Sequence, residues 1–176
     1  MKTRIVLAIV MLAAVLISGC VRFEFEIELD GQGNELKRTV RFLTQEQQVA
    51  AMYLQGIRQD VLESYGEEEM QFVEFTEFDG PEWYGAELVF LVAEAKDSGI
   101  DLSEESLVVT DKDDRFTVAF NFDASPGYSD IAQKEWYDDS EFVVRVTVEE
   151  FTREYRLNVY DAILNGVYLT DTFPKR

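Results

Sequence analysis

The sequence predicts an α+β fold: one curved, mainly antiparallel sheet of about eight strands packed on a single long helix, with a second, short helix over residues 128–137. Three observations predict it. Apolar and charged residues alternate strictly in several stretches, which places one set on each face of a strand. Residues 45–65 instead repeat their apolar positions at helical spacing. Turn-forming runs such as Asp30-Gly31-Gln32-Gly33-Asn34 and Asp79-Gly80-Pro81 separate these stretches. At 176 residues, 47% hydrophobic, 29% charged and with only 3 Pro, the chain has the composition of one globular domain and not of a disordered or fibrous protein.

Residues 1–19 read as an export signal. Lys2 and Arg4 precede an unbroken apolar run from Ile5 to Ile17, and Ser18-Gly19 supplies the small residues that a signal peptidase needs. As a helix that run is about 20 Å long, against a hydrocarbon core of roughly 30 Å, so it is too short for a membrane span. Leu16-Ile17-Ser18-Gly19-Cys20 resembles the lipobox of bacterial and archaeal lipoproteins, with Ile17 where Leu is more usual. The resemblance implies that a diacylglyceryl group alkylates the Cys20 thiol before cleavage, leaving Cys20 as residue one. Cys20 is the only cysteine, and an exported protein normally pairs its thiols, so an unpaired one needs another purpose. Two acyl chains give stable membrane attachment where one is marginal. The expectation is a single extracytoplasmic domain, residues 20–176, anchored to a membrane by lipid. Cleavage removes two of the 16 basic residues and leaves 14 against 35 acidic ones, a net −21. Such a body stands off an anionic leaflet and does not bind nucleic acid, whose phosphates need Lys and Arg.

The mature chain opens on a strand from Arg22 to Leu29, with Phe23, Phe25, Ile27 and Leu29 on one face and Arg22, Glu24, Glu26 and Glu28 on the other. Leu36 to Leu43 returns across the Asp30-Gly31 turn as a hairpin. With Leu29 opposite Leu36, Glu28 meets Lys37, Glu24 meets Arg41, Phe25 meets Val40 and Phe23 meets Phe42, so charge and apolar contact agree on one register. Arg38 then falls on the apolar face opposite Ile27. Either a bulge or edge position lets it snorkel to water, or it is a cation inside a ligand cavity.

Thr44-Gln45-Glu46-Gln47 is a capping box that starts the helix. Val49, Met52, Tyr53, Ile57 and Val61 form its apolar stripe, Gly56 permits close approach to a sheet, and Gly66 is the C-cap. Core packing explains the Met and Tyr positions more economically than a cofactor or partner does. Strands follow at Gln71–Phe78 and Trp83–Ala93, and Leu88–Val92 is apolar on both faces, as in a covered central strand. Leu107–Thr110 and Arg115–Phe122 form a second hairpin with Phe116, Val118, Phe120 and Phe122 inward. Phe142–Glu149 and Phe151–Tyr160 alternate again, and Asn165-Gly166 closes a last hairpin.

The chain contains no His, which removes Ser-His-Asp and Cys-His catalysis and leaves zinc without its usual ligands. Asp111–Asp114 and the Asp30 turn do not fit the calcium loop and read as solvated turns. Of the chemistries available, only a hydrolase built on paired carboxylates survives, and no pair stands out among 35 acidic residues. No enzyme activity, cofactor or metal is expected.

The Gly19-Cys20 junction, the strand beginning straight after it, the Asp30-Gly31 turn, the helix over 45–65, and Asp79-Gly80 followed by Tyr84-Gly85 and an apolar strand together resemble the mycobacterial LppM-type lipoprotein domain over residues 17–123. That resemblance implies an anchored surface protein whose curved sheet wraps a helix around an apolar cavity associated with glycolipid binding, and it transfers no binding residue. The leading expectation is therefore a non-enzymatic binding module for lipid or glycolipid, with Phe90 and Phe120 lining the pocket and Arg38 at its mouth beside an anionic or hydroxylated head group. The alternative is an assembly lipoprotein that offers an edge strand or its acidic face to another envelope protein.

Overall fold

The computed structural model describes residues 20–103, 106–122 and 139–176; the leader at 1–19 and the short helix expected over 128–137 lie outside them. The described residues form β1 (Val21–Leu29), β2 (Glu35–Thr44), α1 (Gln47–Ser64), α2 (Glu67–Met70), β3 (Val73–Asp79), β4 (Tyr84–Phe90), α3 (Val92–Asp97), β5 (Leu107–Lys112), β6 (Arg115–Phe122), β7 (Glu141–Val148), β8 (Phe151–Asn158), α4 (Val159–Asn165) and β9 (Val167–Pro174). This is a strand-rich α+β fold.

The strands make two sheets where one was expected. The larger runs β3-β4-β2-β1-β7-β8 and the smaller β5-β6-β9. All neighbours are antiparallel except β1 and β7. The smaller sheet folds over the larger because each has one apolar face to bury. Phe120 of β6 packs 5.3 Å from Phe25 of β1, and Phe122 stacks 5.6 Å from Phe142 of β7, centroid to centroid. Helix α1 covers the β4 side of the same inner face, with Tyr65 just beyond its end 5.6 Å from Phe90.

The first hairpin keeps the expected register from Phe23–Phe42 to Glu28–Lys37, with Arg38 opposite Ile27. At its turn end the expectation fails: a bulge between Glu28 and Leu29 sets Leu29 against Glu35 and leaves Leu36 exposed. Gly33 holds φ at +85°, and a Cβ there would strike the Phe116 ring at 2.9 Å. At Gly85 a Cβ would stand 1.9 Å from the Phe42 carbonyl oxygen, so β4 meets β2 only with glycine at that position.

Helix α1 starts later than the capping box implied, because Thr44 is the last residue of β2, paired with both Val21 and Tyr84. Its hydroxyl accepts instead from the Glu46 N–H at 3.3 Å. Ala50, Ile57 and Val61 form the buried stripe; the side chains of Met52 and Tyr53 lie outside the described set. Gly56 faces open space, since its position is one helical step away from that stripe. Gly66 is not a C-cap but the N-cap of α2, its N–H donating to the Glu69 carboxylate at 2.6 Å.

The strand expected over Trp83–Ala93 stops at Phe90. Val92 and Ala95, both buried, belong to helix α3. Strand β4 is one in from the edge, between β3 and β2, with its deepest residues Ala86, Leu88 and Phe90 on the inner face. After β8 the chain forms α4 in place of a hairpin: Asn158 Oδ1 caps it by accepting from the Tyr160 N–H at 2.9 Å, and Val159, Ala162 and Ile163 are fully buried. Gly166 then redirects the chain into the smaller sheet with φ +70°.

Candidate functional site

The bulge decides the surroundings of Arg38. By turning Leu36 outward and Glu35 inward it puts a carboxylate beside the guanidinium, and Arg38 Nε donates to Glu35 Oε1 at 2.9 Å. Arg38 Nη2 donates to the Leu102 carbonyl oxygen at 2.6 Å, and the guanidinium lies 5.2 Å from the Phe90 centroid. At 2% exposure Arg38 does not snorkel. It is a buried cation held by a carboxylate, a carbonyl and an aromatic face, which is how a buried charge is tolerated.

Beside it is an open pocket of about 430 Å³, lined by Glu35, Val92, Lys96, Ile100, Asp101 and Leu102, among others. Helix α3 and the loop after it supply most of this lining. Glu35 and Leu102 therefore serve twice, as partners of Arg38 and as pocket wall. One cation, two carboxylates and an aliphatic patch suit a hydroxylated or amphiphilic group better than an acyl chain. Arg38 and Phe90 come together; Phe120 does not join them. It belongs to the smaller sheet against Phe25, and both rings, each 2% exposed, are packed in one core and line no part of this pocket.

A second cluster covers the outer face of the larger sheet. The parallel pairing of β1 with β7 sets Glu24 beside Val143, and β8 sets Arg156 on its other side. Around fully buried Val143 runs a closed ring of alternating charge. Glu24 binds Arg145 at 3.1 Å and Arg145 binds Glu154 at 2.6 Å; Glu154 meets Arg156 at 2.7 Å and Arg156 meets Glu141 at 3.2 Å. Glu141 pairs with Arg22, which returns to Glu24 at 3.6 Å. Arg41 extends the ring to Glu24, Glu26 and Glu87 at 3.2, 3.0 and 2.6 Å. The Arg22 hydrogen bond, against some opposing desolvation, holds the Glu141 carboxyl below its usual range, and Arg156 and then Arg145 do the same for Glu154. Burial pulls the Arg41 pKa down, but hydrogen bonds to Glu87 and Glu26 more than offset it and raise it.

Cys20 is partly exposed and lies directly ahead of β1. Its carbonyl accepts from the Gln45 N–H at 3.4 Å, while the next residue, Val21, is fully buried and donates to Ser140 Oγ at 3.3 Å.

No family model and no curated protein matches the chain. Among solved structures it is similar to the folded domain of the Mycobacterium tuberculosis LppM protein, determined by NMR. That similarity covers 92% of each chain, with 10% sequence identity and a TM-score of 0.46.

Among the described residues no helix is long and apolar enough to cross a membrane, and no group of three or more His, Cys, Asp or Glu is placed to hold a metal ion. The sequence reading missed the charged ring and the α3 pocket. The ring had a signal in the alternating charges of Arg22–Glu26 and Glu141–Arg145, but joining them requires the long-range β1–β7 pairing. The pocket had none, because Val92 and Ala93 at the start of α3 continue the apolar pattern of β4.

Proposed function

We propose that this chain is a lipid-anchored, non-enzymatic binding module displayed on a membrane outside the cytoplasm. The observation that carries this is Cys20: the only cysteine, at the end of a lipobox-like run, partly exposed and joined to the first strand without a linker. The ligand is the polar, hydroxylated head of a lipid or glycolipid, taken in the open pocket beside Glu35, Lys96 and Asp101. A site between Phe90 and Phe120 is not favoured, because those rings are packed against protein.

Native mass spectrometry of the full protein after mild detergent extraction tests the ligand. Retained lipid that Lys96→Ala reduces supports the pocket; a lipid-free protein argues against it. A second reading has its own support. Among the described residues β5 is an edge strand, with Val108 46% exposed, and a sheet edge can pair with a strand of another envelope protein. Co-extraction of one stoichiometric protein instead of lipid favours that reading.

A further inference from the structure

The end of the molecule that carries Cys20 also carries aromatic residues. The row Val21–Thr44–Tyr84–Asp79 crosses four strands, and one step beyond it lie Cys20, Gln45, Trp83 and Gly80, linked by the Cys20–Gln45 and Trp83–Gly80 backbone hydrogen bonds. Trp83 thus stands two strand spacings, about 10 Å, from Cys20. Its ring sits 4.9 Å from the Arg22 guanidinium, and Phe78, beside the same turn, is 38% exposed. The smaller sheet adds to this end. Phe122 stacks on Phe142, Phe142 pairs with Phe23, and Tyr168, opposite Asn121, is 63% exposed.

We propose that this end, bearing Phe78, Trp83, Tyr84 and Tyr168 around Cys20, is a membrane-docking face that rests in the head-group layer of an uncharged or zwitterionic leaflet. The proposal rests on the anchoring at Cys20 set out above. Anchoring alone would permit a long stalk, but here there is none. Val21 is immobilised by burial and by Ser140, and adjacent Cα atoms are only about 3.8 Å apart, so a lipid on Cys20 brings the whole end to the head groups. Trp and Tyr favour that layer, where the ring is half in hydrocarbon and the polar edge stays wet. The partner's charge follows from the rest of the surface. Exposed Glu46, Glu77, Asp79 and Glu82 surround the aromatics, and the nearby Arg22 is engaged by Glu24 and Glu141, so an anionic leaflet is repelled. The net charge that holds the body off an anionic leaflet thereby selects which lipid it touches.

The test uses the full lipidated protein in phosphatidylcholine vesicles. With Cys20 occupied by lipid, Glu82→Cys at the docking face and Glu150→Cys in the β7–β8 turn at the other end each offer a single reactive thiol for a nitroxide. The Glu82 label should be several-fold more accessible to lipid-soluble oxygen, relative to a water-soluble nickel chelate, than the Glu150 label. Adding phosphatidylglycerol at low salt should lower that ratio. Equal ratios at the two positions, with the protein still retained by the vesicles after a carbonate wash, would overturn the docking face and leave the anchor standing. Release of an unmodified chain by the wash would overturn the anchor, and the docking face with it.

Discussion

Arg38 was legible as an anomaly but not as a structure. The alternation from Leu36 to Leu43 placed a cation on an apolar face and allowed a bulge as its explanation, but where the bulge falls, so that Glu35 turns inward, and the loop that supplies the Leu102 carbonyl are invisible to periodicity. Its removal should strand a mostly buried carboxylate. Arg38→Met is expected to cost about 3 kcal/mol in urea denaturation, and Arg38→Met with Glu35→Leu should recover part of it, because removing the Glu35 carboxylate as well takes away the charge that Arg38 leaves uncompensated there. A neutral single variant would show that Glu35 does not depend on Arg38. Phe90→Ala and Phe120→Ala should each cost about 3–5 kcal/mol, as ring removal does in a filled core; losses below about 1 kcal/mol would indicate a space already empty.

The first two hairpins and the long helix were legible because their cause is local. Charge and apolar pairing set the β1–β2 register as far as Glu28–Lys37, and Val49, Ile57 and Val61 of the apolar stripe marked α1. Thr44 shows where this stops, since strand pairing with Val21 and Tyr84 takes the residue that a local rule assigned to a cap. The same limit governs Glu24 and Arg41. Treated as an isolated pair, exchanging their charges should restore the interaction; in the ring, Arg at position 24 would face Arg22 and Arg145, and Glu at position 41 would face Glu26 and Glu87. The double exchange is therefore expected to recover little of the loss from the single changes, and full recovery would show that the ring is not formed. The ring also sets an acid limit. Because the folded-state pKa values of Glu141 and Glu154 are lowered, their stabilisation is complete above the unfolded value near 4.5 and is lost as pH falls through the lower folded values. Urea midpoints should drop below about pH 4.5, and Glu141→Gln should flatten that drop; an unchanged slope would remove Glu141 from the cause.

At the scale of the whole molecule, the sequence foretold the α+β class and nearly every strand, but not the division into two sheets. That division depends on β1 meeting β7 and on α4 leading β9 to β6, contacts between residues far apart in sequence that no local pattern encodes. Their consequence is functional. Helix α1 and the smaller sheet pack on the inner face, and an open pocket lies beside α3. The two ends of the long axis also differ: Cys20 and the aromatics occupy one, while the C-terminus is tied to the other by the Arg176 N–H to the Gly31 carbonyl at 3.0 Å. Both the binding module and the docking face depend on attachment through Cys20. The intact mass of the protein recovered from membranes reads that attachment out. A chain beginning at Cys20, heavier than its amino acids by a diacylglyceryl group and abolished by Cys20→Ser, is the predicted result; a chain that retains residues 1–19 and carries a free Cys20 thiol would contradict it.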